Sequence, residues 1–365
     1  IRMNLDDYNY FLPEKNIALE PVVPRDSSKL FVYDTTVDKI IFDYFYNIDK
    51  YLLKDSFMVM NNTKVLPARV VMKKENGGKV VILFLVNEII NNILSVIVDR
   101  KISVGEKIYF DTSTSLSVNF LEVVGQNKNI FKVKFNFSKQ KLFSLLEKYG
   151  TMPIPPYLKK SPLNRDELLE KYQTIFAKTD GSAAAPTASL HFTDSVFDKL
   201  DKKGIERLFV TLHVGMGTFA PITDENIKQK KLHNEYYEFD SRMLQSINKL
   251  KQEGKKLVAV GTTVVRTLES AAVANFITRE SHHFVVPSKV KNFLDKTDLF
   301  IFPPYDFKLV DIMITNFHLP KSSLMMLVEA FLQYRGAKRD LVELYNIAIK
   351  NDFRFYSFGD VMLIL

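Results

Sequence analysis

The chain has 365 residues, 46% apolar and 12% aromatic, which is ample for a packed interior and more than one compact core usually holds. It contains no cysteine, which excludes disulfides, Cys-ligated zinc and Cys-ligated iron–sulfur clusters and fits a reducing cytoplasm. The net charge of +8, with a pI near 9.2, favours approach to a polyanion such as nucleic acid; the abundance of Lys, Asn, Ile and Phe is also what a biased genomic base composition produces.

The opening stretch, IRMNLDDYNYFLPEK, has no apolar leader, and the longest apolar run, VVILFLV at 80–86, falls far short of the roughly 20 residues a membrane helix needs. The expectation is a soluble, cytoplasmic protein with no membrane partner. In chain order, Ile40, Ile41, Tyr44, Phe45 and Ile48 fall at helical spacing and predict a helix over 37–51, followed by a short buried strand at 57–60. From 68 to 137 the pattern changes to short β-rich runs (KVVILFLV, ILSVIVD, EKIYF, LSVNFLEVV, IFKVKFNF) with turn signals at Asn76-Gly77-Gly78 and Val104-Gly105-Glu106. No convincing amphipathic helix interrupts them, so the segment reads as a small antiparallel barrel or sandwich.

Helices return at 141–149, closed by Gly150, at 165–172, and at 194–203, closed by Gly204. Residues 205–214 and 257–260 read as buried parallel strands, with a helix at 241–253 between them, N-capped by Asp240. The economical architecture is α/β: a discontinuous α/β domain (1–67 and 138–365) carrying an inserted small antiparallel β-barrel domain (68–137).

Five polar, small-residue segments read as loops at strand or helix ends, where α/β folds usually bind ligands: NNTKVLPARV (61–70), SAAAPTASLHF (182–192), TLHVGMGTF (211–219), VGTTVVRTLES (260–270) and TNFHLPKSS (315–323). In the fourth, a strand runs into Gly261-Thr262-Thr263 and then a helix, so free N–H groups and two hydroxyls would suit an anion or a ribose, or one threonine is an ordinary N-cap. Arg266, one turn in, pairs with a carboxylate or forms a surface salt bridge. The glycine loop at Gly215 and Gly217 lacks the third glycine and the acidic residue of a dinucleotide fingerprint.

Four of the six histidines, His191, His213, His233 and His318, lie in or just beyond these segments, which favours a shared site. Their spacing matches no zinc motif, and the expectation is no metal. Ser182, Thr187 and Ser189 lack a nucleophile elbow, so covalent serine catalysis is not expected; the small residues there suit a flat ligand lying against the backbone, or a tight loop.

Together, NNTKVLPARV, MPIPPYL, YQTIFAKTDGSAAAPTASLHF, FVTLHVGMGTF, VAVGTTVVRTLESAA, DLFIFPPYDFKLVD, ITNFHLPKSSLMMLVEAF and FRFYSFGD resemble the S-adenosylmethionine:tRNA ribosyltransferase-isomerase family over nearly the whole chain, in the family's order. Two departures are Ser189 and Pro304, where the family pattern usually has glycine; a positive φ at either would strain serine and exclude proline. The resemblance implies an α/β domain with an inserted β-barrel. It also implies transfer and isomerisation of the ribosyl unit of S-adenosylmethionine onto 7-aminomethyl-7-deazaguanine in the anticodon loop of a tRNA with a GUN-type anticodon. The product is epoxyqueuosine-tRNA, and adenine and methionine leave. S-adenosylmethionine is then a co-substrate, there is no prosthetic group, and the protein is expected to act as a monomer.

That chemistry needs a base for the carbon beside the sulfonium, an acid for departing adenine, and deprotonation of an amine whose free pKa is roughly 10 by analogy with lysine. On this resemblance His191, His213 and His318 are the candidate acids and bases, with Asp311 and Glu235 as second-choice carboxylates. Asn62, Thr63, Thr187, Gly215, Gly217, Thr262, Thr263, Arg266 and Asn316 are candidate substrate contacts, with Thr262, Thr263 and Arg266 on ribose or methionine carboxylate. Lys64, Arg69 and Arg354 are candidate phosphate contacts. The rival readings are a non-catalytic RNA-binding protein, a conventional methyltransferase, which the missing glycine pattern disfavours, and a homologue that has lost activity.

Overall fold

The computed structural model describes residues 4–110, 119–127, 130–215, 222–273, 278–280, 283–285 and 292–365. The strands are β1 (Lys29–Asp34), β2 (Lys39–Tyr44), β3 (Ser56–Asn61), β4 (Thr63–Val65), β5 (Arg69–Lys74), β6 (Lys79–Ile90), β7 (Ile93–Val98), β8 (Lys107–Tyr109), β9 (Phe120–Asn127), β10 (Ile130–Phe135), β11 (Gly150–Thr151), β12 (Thr179–Ser182), β13 (Glu206–His213), β14 (Lys231–Asp240), β15 (Lys256–Val260), β16 (Thr278–Glu280), β17 (His283–Val285), β18 (Asn292–Leu299), β19 (Ile312–Asn316) and β20 (Val361–Ile364). The α-helices are α1 (Lys139–Tyr149), α2 (Arg165–Lys171), α3 (Asp194–Lys202), α4 (Asp224–Gln229), α5 (Ser241–Gln252), α6 (Thr262–Val273), α7 (Ser323–Tyr334) and α8 (Leu341–Lys350).

Nine strands form the main sheet in the order β18-β14-β13-β3-β15-β19-β20-β1-β2, with β13, β3, β15 and β19 mutually parallel at its centre. Every residue of β3 is buried because the sheet is covered on both faces, as expected for parallel strands. Side-chain alternation divides the apolar set cleanly. Phe57, Val59, Leu257, Ala259 and Met313 pack with α5, α6, α7 and α8 on one face. Met58, Met60, Val258, Val260 and Ile314 pack with α3 and the 3-10 helix Phe45–Lys50 on the other.

The helix expected at 37–51 is instead the edge strand β2 followed by that 3-10 helix. Asp38, at φ 52, turns the chain, and β2 pairs with β1 from Lys39↔Asp34 to Tyr44↔Lys29. Ile40, Ile41 and Tyr44 fit either period, and strand pairing decided between them.

The second sheet runs β11-β5-β6-β7-β10-β9-β8, and β5 also pairs with β8, so six antiparallel strands close into a barrel. The fold is therefore α/β with an inserted antiparallel β-barrel. Among the described residues of 68–137 there is no α-helix. The barrel core nevertheless reaches past 137, since Leu142, Leu145 and Leu146 of α1 pack with Val70, Phe84 and Val133. Ser138 caps α1, and Gly150 ends it for a reason other than a left-handed turn: a Cβ there would lie 1.7 Å from the Pro67 carbonyl oxygen and 2.5 Å from that of Leu146. Glycine is needed at this close approach, where the chain leaves the barrel alongside the segment that entered it.

Candidate active site

The parallel strands β3, β13, β15 and β19 present their carboxyl ends to one side of the main sheet, and there a cleft of about 690 Å³, solvent-facing space included, is lined by loops following β13, β15 and β19. That is the usual ligand position in an open α/β sheet. Gly261 joins β15 to α6 at φ +92; a Cβ there would have ordinary space, 3.6 Å from Ala188 Cβ, so the backbone conformation rather than crowding calls for glycine. The Gly261 N–H donates to Ile314 O at 2.7 Å, and its carbonyl accepts the N–H groups of Val264 and Val265. Gly261 is thus the helix cap, and Thr262 and Thr263 supply the first-turn N–H groups that no helical carbonyl satisfies. Thr263 Oγ1 is buried without a hydrogen-bond partner among the described residues. The arrangement can hold an anion or a ribose hydroxyl.

Arg266, one turn into α6, is 6% exposed and is not a surface salt bridge. Its Nη1 pairs with Glu235 Oε2, its Nε donates to Leu299 O at 3.3 Å, and its Nη2 is buried without a partner among the described residues. The other Glu235 oxygen accepts the Gly215 N–H at 3.0 Å. Glu235 therefore ties α6 to the end of β13 and holds Arg266 behind the cleft, which Arg266 does not itself line.

His318 lines the cleft just beyond β19. Its backbone is fixed independently of the ring, because its N–H donates to Tyr345 OH at 2.9 Å and its carbonyl accepts the Tyr10 hydroxyl. Its Nε2 meets Thr315 Oγ1 at 2.8 Å, and its Nδ1 has no hydrogen bond among the described residues. Burial lowers its pKa to about 3, so the ring is neutral at ordinary pH.

His191 stands behind the cleft wall. Ser28 Oγ–H donates to Arg25 O at 2.7 Å, so at 2.8 Å the same oxygen accepts from His191 Nδ1–H. His191 Nε2 then carries the lone pair that faces Asn316 Nδ2 at 3.5 Å. Asn316 Oδ1 accepts from Thr187 Oγ1 at 2.9 Å, and both residues line the cleft. Burial, reinforced by the charges of Arg354 and Arg25, lowers the His191 pKa to about 3. His191 is a positioning residue for Asn316.

His213 lies on the other side of β13 from Leu212, whose side chain is in the core beneath α5 and α6. Its Nδ1 meets Thr63 Oγ1 at 2.8 Å, and its ring packs so closely on Gly181 that a Cβ there would lie 2.8 Å from Cε1. Burial first, then the Lys139 charge, lower its pKa to about 4 against the pull of Asp180. Asn62 accepts from Thr211 Oγ1 at 2.7 Å, and Thr63 carries the strand pairing with β12. Neither they nor His213 line the cleft. Four of the five loop segments therefore meet at the cleft, and 61–70 supports them from behind.

Asp311 precedes β19, at the opposite end of the strand from Asn316, where it accepts from Lys251 Nζ at 2.5 Å and Leu257 N at 2.7 Å. That distance from the cleft, about 16 Å for a five-residue strand, removes it from the candidate chemistry. Lys64 pairs with Asp180 at 3.3 Å, and Arg354 is held by Asp360 and by the Glu20 carbonyl. Arg69, on β5 beside Thr151, has no ion pair among the described residues. Gly217 and the His233 side chain lie outside the described residues. Ser189 sits in a short turn and is not at positive φ, so the strain weighed for it is absent; Pro304 follows a cis peptide bond with Pro303.

Sequence reasoning missed Tyr157, Tyr356 and Ser357, which line the cleft from within MPIPPYL and FRFYSFGD. Tyr356 is held at φ +74, a conformation costing on the order of 1–2 kcal/mol for a residue with a Cβ. Its N–H donates to Phe317 O at 3.1 Å, and its carbonyl accepts Asn316 Nδ2 at 3.3 Å and the Gly359 N–H at 3.0 Å. The rings of Tyr157 and Tyr356 are 4.6 Å apart, and Tyr157 OH meets Ser357 Oγ at 2.6 Å. Among the described residues no group of three or more His, Asp or Glu could hold a metal, and no helix is long and apolar enough to cross a membrane.

The family model described as queuosine biosynthesis protein matches residues 5–364. The S-adenosylmethionine:tRNA ribosyltransferase-isomerase of Thermosipho melanesiensis is 42% identical over 99% of this chain and 100% of its own length. That of Carboxydothermus hydrogenoformans is 42% identical over 100% of both. The crystal structure of S-adenosylmethionine tRNA ribosyltransferase from Thermotoga maritima aligns with 98% of this chain and 100% of its own, at 30% identity and a TM-score of 0.52. Likeness that spans both chains end to end, in sequence and in fold, places this chain in the queuosine biosynthesis protein family, to which it belongs.

Proposed function

We propose that the chain transfers and isomerises the ribosyl moiety of S-adenosylmethionine onto 7-aminomethyl-7-deazaguanine in the tRNA anticodon loop, giving epoxyqueuosine-tRNA with release of adenine and methionine. S-adenosylmethionine is the co-substrate. The observation that carries this reading is one cleft uniting the open first turn of α6 with His318 and its Thr315 partner. Thr262 and Thr263, with Arg266 behind them, hold the donor's ribose and methionine carboxylate. His318 handles a proton at the reacting centre, and the water-poor surroundings that keep it neutral also suit a reactive sulfonium intermediate.

The tRNA carries a GUN-type anticodon, the protein acts as a monomer, and its work is cytoplasmic. The target base leaves its stack to enter the cleft while phosphate contacts elsewhere hold the backbone. Residues 68–137, with α1 packed against their core, form a domain inserted into the α/β domain, and the seam between the two offers the RNA a docking face beside Arg69. Donor carrying a methyl label, mixed with tRNA bearing the acceptor base, is expected to release adenine and leave all the label in free methionine. Label in the RNA would make the protein a methyltransferase, and RNA binding without adenine release would make it a binding protein.

Arg69→Ala is expected to weaken tRNA binding and flatten its salt dependence, the log–log slope changing by roughly 0.7 to 0.9 for one lost phosphate contact. Adenine release at saturating tRNA should persist. A parental slope in a salt series of binding isotherms would place the RNA elsewhere. Lys64→Ala, already committed to Asp180, should change the slope less.

A further inference from the structure

The geometry points to the aromatic end of the cleft, Tyr157 with Tyr356, as the seat of the donor's purine ring, an inference that rests on the reading of the cleft as the donor site. Three observations carry it. The two rings form a tilted pair at 4.6 Å, and both line the cleft. Tyr356 is kept in the left-handed region by three backbone and side-chain hydrogen bonds, a conformation that an ordinary core aromatic has no reason to adopt. One of those bonds comes from Asn316, which also receives Thr187 and faces His191, so the pair is locked to the same network that shapes the cleft wall.

Placement supplies the choice of ligand. Gly261 N–H bonds Ile314 O, while Tyr356 N–H bonds Phe317 O, on the opposite flank of the same strand end, where β15 and β20 lie on either side of β19. The α6 first turn and the aromatic pair are therefore about two interstrand spacings apart, roughly 10 Å. A purine nucleoside joined through sulfur to an amino acid spans a distance of that order, with a flat, polarizable ring at one end and a carboxylate at the other. The aromatic faces take the ring, and the first-turn N–H groups with the unpartnered Thr263 hydroxyl take the carboxylate, with Arg266 behind them. Tyr157 OH and Ser357 Oγ, which now bond each other, can turn to ring nitrogens at its edge. His318 lies on the segment between the two ends, Thr315 to His318, near the bonds that break.

The test measures binding of two probes, S-adenosylmethionine and 5′-methylthioadenosine, which keeps the purine and ribose but lacks the amino acid. Tyr157→Leu, which removes the ring, is expected to weaken both probes by about tenfold or more, whereas Tyr157→Phe stays within about threefold. Thr263→Val should weaken S-adenosylmethionine and leave 5′-methylthioadenosine nearly unchanged. Unchanged tRNA affinity in Tyr157→Leu shows that the variant is folded and that the ring serves the donor. If Tyr157→Leu weakens tRNA alone, the pair receives the acceptor base and the proposal is wrong. If Tyr157→Leu binds both probes normally while Thr263→Val loses S-adenosylmethionine, the donor is in the cleft but its purine lies elsewhere, which also overturns it. If neither variant alters either probe, the reading of the cleft as the donor site fails.

Discussion

His318→Gln is expected to reduce single-turnover adenine release on the order of a hundredfold or more with tRNA affinity nearly intact, the effect of losing a general acid or base. Of the three histidines at strand ends, His318 is the one that lines the cleft, and its main chain is anchored by Tyr345 and Tyr10, so the substitution removes the ring without releasing the loop. Its low pKa, about 3, has a consequence for the pH profile. The neutral ring is present at full strength from pH 5 upward, so it contributes no inflection to kcat/KM between pH 5 and 8. His213→Gln, acting through Thr63 from beyond the cleft, should keep the larger part of turnover. Equal losses in the two variants, or full turnover in His318→Gln, would place the proton transfer on another group.

Strands buried on both faces declare themselves as unbroken apolar runs, which is why β3 and β15 were legible, and the alternation of β10, exposed and buried in turn, revealed the barrel. Residues 37–51 carried spacing compatible with either period, and the deciding facts, the turn at Asp38 and pairing with β1, are tertiary. At the site, glycine, threonine and histidine in loops gave a strong local signal. Facing did not follow from it. One step along β13 separates Leu212, inside the core, from His213 on the opposite face, and five residues of β19 separate Asn316 at the cleft from the far-end Asp311. Tyr157 and Tyr356 were illegible because an aromatic residue beside an apolar neighbour, Leu158 or Phe355, reads as core. The left-handed φ that distinguishes Tyr356 is held by hydrogen bonds to Phe317 and Asn316, near it in space but far in sequence, beside a local one from Gly359.

The protein is expected to lose stability steeply as pH falls below about 6.5. His191 and His318 have folded pKa values of about 3 and His213 of about 4, against 6.5 when unperturbed. Between those values the unfolded chain binds more protons than the folded one, so stability rises with pH across the window and is complete above it. Each group contributes a slope of about 1.4 kcal/mol per pH unit, so the three together approach 4 kcal/mol per unit near pH 5. Glu269, Glu329 and Asp360 act in the opposite sense, because burial raises their folded pKa values and they bind protons more readily in the folded state as pH falls. They offset part of the slope only below the pH at which they begin to protonate, and hydrogen bonds from Lys308 and Leu309 to Glu269, from Leu341 to Glu329 and from Arg354 to Asp360 restrain that rise. Urea midpoints measured from pH 7.5 to pH 5 should therefore fall, with the onset near 6.5 that marks histidine. His191→Gln offers the sharper check. It removes one of the three protons while keeping a side-chain amide for Ser28 and Asn316, so it should be less stable than the parent at pH 7.5 yet show a slope lower by about a third. A flat midpoint between pH 7 and 5.5, or a parental slope in His191→Gln, would mean that these rings are reached by water and protonate in the folded protein.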